Sequence, residues 1–354
     1  MVTASHNPAP DNGFKCFTRA GTKLAAEDEA GFEANMRDWV SGNVAEQGLG
    51  RVREADQDAR NLLLDHWLSG IPVGSLKGLC VALDTAFGAS AALVRGVFEE
   101  AGAKCPLVLG EGEGVINSGV GANNPQTLAK AMREAGCDLG FCFDGDADRC
   151  VLISAEGNII RGDQLIGAIA LHQDRVSSSK GPVIVTEQSN SGLDVSLAEA
   201  DIEVRRCGVG DRNVSTMMAE LGAGFGGEES GHLVFADQLP TGDGPGAALR
   251  IAAMYAHDPK AWREAISSIH LRPSISAALA APRKPPLDSD GVFAQQVARV
   301  REELHNGGRL LLRYSGTEPV LRVTIEADDT ERAQSLVGCL ADAWRMQTGF
   351  GEPG

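Results

Sequence analysis

Between residues 76 and 143 short apolar runs alternate with runs of helical spacing, and this alternation constrains the fold of the 354-residue chain more than any other feature. "KGLCVALDT" is an apolar run ending in Asp84, "GASAALVRGVFEEAGA" has helical spacing, "KCPLVLG" is strand-like, "NPQTLAKAMREAGC" is helical and "DLGFCF" is a further strand. The pattern predicts an α/β unit built on a parallel, helix-covered sheet. Asp84 and Asp144 then fall at carboxyl ends of strands, where open α/β sheets place their ligands. "RCVLISAEGNII" reads as a hairpin. A second alternating unit follows, with helices over 163–176, 193–200 and 214–221 around the strands "PVIVTE" and "IEVRR". The run "LRPSISAALAAPRKPPLDSDG" is rich in Pro, Ser and Ala and predicts a linker. Beyond it, a helix over 292–303, the strands "RLLLR" and "LRVTIEA", and a helix over 331–346 predict a small C-terminal α+β domain. The expected class is therefore multidomain: successive α/β units followed by one α+β unit.

A chain of this length exceeds one typical core. The formal net charge of −16 argues against nucleic acid or an anionic membrane surface as the main partner, since both need a basic face. A small anionic substrate in a locally basic pocket stays compatible with it. The eight cysteines are scattered without a CxxC pair, which reads as buried reduced thiols. No apolar run is long enough to span a bilayer, and the N-terminus lacks the charged-then-apolar order of a signal peptide. These features together predict a cytoplasmic protein.

Four loops carry chemistry. In "FDGDADRC", Asp144, Asp146 and Asp148 alternate directly after an apolar strand, so an extended loop points all three carboxylates the same way. Like charges that close repel unless a cation neutralises them, and oxygen-only ligands suit Mg²⁺ or Ca²⁺. An EF-hand would need Gly and Glu where Arg149 and Ala155 stand, so the calcium-sensor reading is rejected. Arg149 beside the carboxylates favours a site where a phosphate and a metal meet. In "GGEESGHLVF", Glu228, Ser230 and His232 sit in a Gly-flanked loop able to bind a vicinal diol, or equally to make a turn. "RYSGTEP" supplies Arg313, Ser315, Gly316 and Thr317, the equipment of an anion nest, or of a hairpin turn with a surface Arg. In the opening "MVTASHNPAPDNGFKCF", Ser5 and His6 precede an Asn-Pro turn and Lys15 follows a second turn; Ser5 is a candidate nucleophile or phosphate carrier.

Taken in order, "TASHNP", "DGDADR", "GEESGH" and "RYSGTEP" resemble the phosphoserine, metal, sugar and phosphate loops of the α-D-phosphohexomutase superfamily. The resemblance implies four domains: 1–58 a remnant of domain I, 59–160 domain II, 161–270 domain III and 271–354 domain IV. "GVGDRNV", "EGNIIRGDQL" and "TGDG" are similar to the bacterial branch that interconverts glucosamine 6-phosphate and glucosamine 1-phosphate. By this resemblance Ser5 holds the transferable phosphoryl group. Asp144, Asp146 and Asp148 hold one Mg²⁺, with the seryl phosphate on Ser5 as a further ligand. His6, Lys15 and Arg149 flank the transfer. Glu228, Ser230 and His232 contact the sugar, while Arg313, Ser315, Gly316 and Thr317, with Arg322, clamp the non-reacting phosphate. A sugar 1,6-bisphosphate is the implied intermediate and activator. A phosphomannomutase/phosphoglucomutase, a non-catalytic phosphosugar-binding protein and a phosphatase using Asp144 are the alternatives.

The family places its phosphoserine loop well inside its first domain, so the chain is expected to be N-terminally truncated relative to the family. "MVTA" then has no preceding strands to join, and fraying is expected there. Ala147 and Tyr314 stand where the branch often has Gly and Lys, and Tyr314 removes a positive charge from the phosphate loop.

Overall fold

A computed structural model of the chain describes residues 1–41, 57–176, 181–287, 290–304, 308–315 and 318–350. It forms two compact units, the first comprising Met1–Glu187 and Ile202–Ile266, the second Gln188–Asp201 and Ser267–Gly354. No described helix is long and apolar enough to cross a membrane.

In the first unit, β1 (Cys80–Asp84) lies between and parallel to β2 (Lys104–Leu109) and β3 (Leu139–Phe143), and β4 (Cys150–Ser154) adds antiparallel to β3. A second sheet repeats this plan. β5 (Val183–Thr186) lies between and parallel to β6 (Val204–Cys207) and β7 (Phe225–Gly227), with β8 (Leu233–Phe235) antiparallel to β7. The orders β2-β1-β3-β4 and β6-β5-β7-β8 are topologically equivalent. The β3–β4 turn and the β7–β8 turn thus occupy the same place in the two sheets, and they carry the acidic loop and the Glu228–His232 loop. β3 is buried along its whole length, as an apolar strand between a helix layer and neighbouring strands must be. α4 (Pro125–Ala135) covers it with Leu128, Ala129 and Met132 and ends at Gly136, whose φ of 66° supplies the left-handed C-cap.

The two hairpin turns touch. Cys150 N donates to Gly231 O at 2.9 Å, and a Cβ at Gly231 would lie 2.5 Å from Cys150 O. Only glycine allows that approach, and Gly231 also has a φ of 91°. α8 (Gly244–His257) packs on β3, β4 and β8 and so braces both sheets from one side. Its cap residue Asp243 accepts from Gly246 N and from Trp67 Nε1 at 2.7 Å, which fastens α2 (Gln57–Ser69) to the same point. α1 (Ala26–Val40), α2, α8 and α9 (Pro259–Ser268) were not read from the sequence, although the buried Trp262 and Ala265 of α9 fall at helical spacing.

Three expectations are corrected. The opening residues do not fray: Thr3 N donates to Gly13 O at 3.0 Å, Lys15 N to Met1 O at 2.9 Å and Met1 N to Lys15 O at 2.8 Å, closing a small hairpin within the segment itself. The run read as a linker contains β9 (Ser274–Ala280), which pairs in seven-residue register with β11 (Val320–Glu326). Small Ser and Ala side chains give little strand signal, so pairing with a neighbour decides the conformation there. The expected second arm of the "RCVLISAEGNII" hairpin amounts to a single Ile153–Ile159 bridge.

The second unit is a three-stranded antiparallel sheet, order β10-β11-β9, with β10 spanning Arg309–Tyr314. α10 (Val292–Glu303) and α11 (Thr330–Thr348) pack with it, and Phe293 meets Trp344 edge-on with ring centroids 5.0 Å apart. α6 (Ser191–Ala198) belongs to this unit because its N-terminus is tied to the sheet. Ser191 N and Oγ donate to Glu326 Oε2 at 2.9 and 2.5 Å, and Arg309 Nη2 donates to Glu326 Oε1 at 2.7 Å and to Ser189 O at 2.5 Å. Glu326 is 2% exposed, so this carboxylate is a buried charge with its hydrogen bonds supplied. Glu326→Ala removes the acceptor for Ser191 and the counter-charge of Arg309. It is expected to cost about 3 kcal/mol in urea unfolding; a change under about 0.5 kcal/mol would mean that the tie is not what holds α6.

Candidate active site

Asp144, the first residue after β3, is buried; Asp146 and Asp148 follow on the turn. One oxygen from each of the three lies within 4.8 Å of the others. Burial and the charges of Asp148 and Asp146 push Asp144 up to about 7. The turn is tight at Ala147, a non-glycine residue with a φ of 59°, which accounts for the preference for Gly that the resemblance implied. Ala147→Gly is expected to raise stability by about 0.5–1 kcal/mol in thermal or urea unfolding; a loss would show that the Ala147 methyl packs for more than the strain it brings.

The opening loop sits on this turn. Lys15 Nζ donates to Asp146 Oδ2 at 2.6 Å and to Asp148 Oδ2 at 2.7 Å. Burial alone would lower Lys15, but Asp148 and Asp146 outweigh it and hold the ammonium above its ordinary value. Thr3 Oγ1 donates to Asp146 Oδ2 at 3.0 Å, and Ser5 N donates to Thr3 Oγ1 at 2.8 Å. Ser5 Oγ lies 3.5 Å from Asp144 Oδ2 and 3.3 Å from His6 Nδ1, on a backbone with a φ of 50°. His6 is pushed below its ordinary value by burial and by the Arg149 and Lys15 charges, against the pull of Asp148 and Asp146. Gly145 is needed because a Cβ there would stand 2.6 Å from Ser5 O. Two residues that sequence reasoning missed fix the loop from the other side. Asn117 Nδ2 donates to Ser5 O and Asn7 O at 2.8 and 2.9 Å, and Asn123 Nδ2 donates to His6 O at 2.7 Å. The Gly- and Asn-rich run after β2 was the available signal. Asp84 is not in the cluster: its carboxylate accepts from Ala86 N and Gly121 N and braces that same run.

Around the carboxylates, Arg149 Nε lies 4.0 Å from Asp144 Oδ2 and, among the described residues, donates no hydrogen bond although it is buried. In the facing turn, Glu228 Oε1 accepts from Gly210 N at 3.0 Å, and Ser230 Oγ is buried without a hydrogen bond among the described residues. His232 Nδ1 stands 3.6 Å from Asp148 Oδ1, and Nε2 stands 3.1 Å from Asp211 Oδ2. Burial would lower His232, but Asp211 and Asp148 outweigh it and raise the imidazole. Asp211 in turn pairs with Lys23. A cavity of about 360 Å³ opens beside Lys15, Lys23, Asp148, Asp211 and His232. A larger cavity of about 650 Å³ lies between the residues after α2 and α8, but the acidic cluster and its cations do not line it, so chemistry rather than size locates the site.

The sequence thus named Ser5, His6, Lys15, Asp144, Asp146, Asp148, Arg149, Glu228, Ser230 and His232, and the first unit holds all of them. Arg313, Ser315 and Arg322 are in the second unit, and Gly316 and Thr317 lie outside the described residues. There Ser315 Oγ accepts from Glu318 N at 3.2 Å, Arg322 Nη2 donates to Glu318 Oε2 at 2.5 Å, and Ser315 O accepts from Lys284 Nζ at 2.7 Å. Lys284, missed in the sequence, brings a cation to a loop where Tyr314 had removed one.

The residues fit a divalent cation. The donor set is all carboxylate oxygen, and Asp146 Oδ1 and Asp148 Oδ1 are buried and accept no hydrogen bond among the described residues. Comparison with known proteins agrees with this chemistry. Four families match in succession, each described as phosphoglucomutase/phosphomannomutase: alpha/beta/alpha domain I over residues 1–41, domain II over 69–157, domain III over 161–270, and the C-terminal domain over 275–343. A phosphoglucosamine mutase of Renibacterium salmoninarum is 39% identical over 97% of this chain and 76% of its own length. Another from Streptomyces coelicolor is 37% identical over 99% of this chain and 78% of its own length. Among solved structures, a phosphoglucomutase/phosphomannomutase family protein from Burkholderia thailandensis shares the fold with a TM-score of 0.78 at 20% identity, covering 100% of this chain and 77% of its own. An N-acetylphosphoglucosamine mutase of Aspergillus fumigatus, solved with GlcNAc-6P and magnesium, has a TM-score of 0.71 at 17% identity, covering 98% of this chain and 88% of its own. The fold and these matches make the chain a member of the phosphohexomutase superfamily. Within it, the chain belongs to the phosphoglucosamine mutase family.

A divalent cation in this cluster would take the carboxylates of Asp146 and Asp148 that Lys15 now holds. Lys15→Met, which leaves the carboxylates to repel one another, is expected to melt lower than the parent without metal and to gain more from added Mg²⁺. Thermal melts with and without Mg²⁺ check this; equal Mg²⁺ increments in the two proteins would contradict it.

Proposed function

We propose that the chain interconverts glucosamine 6-phosphate and glucosamine 1-phosphate through a phosphoryl group carried on Ser5. The observation that carries this reading is the position of the Ser5 hydroxyl, 3.5 Å from Asp144 Oδ2 in the carboxylate cluster, with Lys15 bonded to the other two carboxylates. The phosphoryl leaves Ser5 Oγ for O1 of glucosamine 6-phosphate, giving glucosamine 1,6-bisphosphate and a free Ser5 hydroxyl. After the sugar turns over, Ser5 takes the phosphoryl from O6 and glucosamine 1-phosphate leaves. A 1,6-bisphosphate added from outside would recharge Ser5, which makes it the expected activator.

Phosphoryl transfer is mostly positioning and charge neutralisation. Asp144, Asp146 and Asp148, with a phosphate on Ser5, are the groups we assign to one Mg²⁺, which when bound supplies Lewis-acid stabilisation of the phosphoryl oxygens. Lys15 and Arg149 add fixed positive charge beside the same oxygens, and the Arg149 Nε hydrogen is uncommitted among the described residues. His6 orients the Ser5 hydroxyl at 3.3 Å. We assign Glu228, Ser230 and His232 to the sugar hydroxyls; Ser230 Oγ, buried without a hydrogen bond among the described residues, has donor and acceptor capacity to offer. Arg313, Ser315, Gly316 and Thr317, with Arg322, are assigned to the non-reacting phosphate. We further propose the four domains as 1–58, 59–160, 161–270 and 271–354, and a cytoplasmic setting, which the eight free cysteines favour.

Ser5→Ala removes the phosphoryl carrier and is expected to lower turnover of glucosamine 6-phosphate by about 10³-fold or more in an assay coupled to glucosamine 1-phosphate. Activity within about twofold of the parent would overturn the phosphoserine route. Release of inorganic phosphate without the isomer would point instead to a phosphatase.

A further inference from the structure

α7 (Asp211–Leu221) begins with the "GDR" of the "GVGDRNV" stretch, and the reaction described above leaves Asp211 without a task. Its carboxylate does not cap its own helix: the N-cap is Gly210, and no side chain closes it. The carboxylate is instead directed to the Lys23 ammonium and the His232 ring. Lys23 bonds to Asp211 Oδ2, and His232 Nε2 lies 3.1 Å from the same oxygen. All three side chains are largely buried, at 16%, 15% and 5% exposure for Lys23, Asp211 and His232. The opposite edge of the imidazole, Nδ1, faces Asp148 Oδ1 at 3.6 Å. The other Asp148 oxygen is held by Lys15 at 2.7 Å. Asp148 is therefore bonded by Lys15 on one side and faced on the other by the His232 ring, whose far edge stands against Asp211 without a hydrogen bond among the described residues.

We infer that Asp211 is a positioning residue for the metal site. It fixes the His232 ring so that Nδ1 faces Asp148, and Lys23 fixes Asp211. The helix that carries Asp211 is itself anchored, since Arg212 Nη2 donates to Glu29 Oε2 at 2.6 Å and Gly210 N donates to Glu228 Oε1 at 3.0 Å. A carboxylate ligand gains affinity for a cation when outer groups hold it in the ligating orientation, and loss of such a group typically costs 10–100-fold in metal binding. The same chain of contacts joins the sugar turn to the metal turn, so a displaced His232 disturbs both. A buried ion pair contributes little net stability on average, and a purely structural pair would leave metal affinity untouched.

The inference rests on the metal reading of the Asp144–Asp146–Asp148 cluster, and the test separates the two. Mn²⁺ is titrated into the chain and its free signal followed by electron paramagnetic resonance, for the parent, Asp211→Asn, His232→Asn and the double variant. Asp211→Asn is expected to weaken Mn²⁺ binding by about tenfold. The double variant is expected to bind no more weakly than the weaker single variant, because both act through one path; independent effects would multiply to about a hundredfold. Lys23→Gln, which leaves Asp211 and His232 in place, is expected to show a smaller loss of the same sign, and it serves also if Asp211→Asn folds poorly. Parent-like Mn²⁺ affinity in Asp211→Asn and Lys23→Gln, or multiplying losses, would overturn the positioning role while leaving the metal site standing. A parent that binds no Mn²⁺ would overturn the metal reading and this inference with it.

Discussion

Three carboxylates within 4.8 Å of one another cannot all stay ionised without positive charge among them, and much of the first unit is arranged around that constraint. Asp144 is already driven up to about 7 by burial and its two neighbours. Lys15 answers the other two, and in doing so pulls the opening hairpin onto the β3–β4 turn. Ser5 arrives beside Asp144 because Lys15, Thr3, Asn117 and Asn123 hold the segment on both sides of it. The placement of Ser5 thus follows from charge compensation and from a few side-chain amides.

The second organising fact is repetition. Two sheets of the same order present two equivalent turns, one acidic and one carrying Glu228, Ser230 and His232, and the turns meet at Gly231 through the Cys150 amide. The acidic turn and the Glu228–His232 turn are in this way brought together at one glycine. Gly145 does the same for the approach of Ser5, and Ala147 shows the cost of a methyl where the backbone turns left-handed.

Much of this was legible before the structure. The strand–helix alternation located β1–β3 and the second α/β unit, because apolar runs bounded by turn residues carry their own signal. The period-two spacing of Asp144, Asp146 and Asp148 located the cluster, since an extended turn makes neighbours of alternate residues. β9 was lost because small Ser and Ala residues and nearby prolines masked the alternation of Ile275, Ala277 and Leu279, and pairing with β11 fixes its conformation. Asn117, Asn123, Lys23 and Asp211 were missed for a different reason. Each acts on a residue more than a hundred positions away, or in a different element, and no local spacing reports such a contact. The order of the four loops supplied the family; the geometry supplied the groups that hold those loops in place.

The central claim is that Ser5 carries the phosphoryl group. It is tested most directly by intact-mass analysis, with peptide mapping, after incubation with glucosamine 1,6-bisphosphate and Mg²⁺. A single phosphate adduct confined to Ser5 is the predicted result. An unmodified chain, or an adduct mapped to Asp144, would contradict the account.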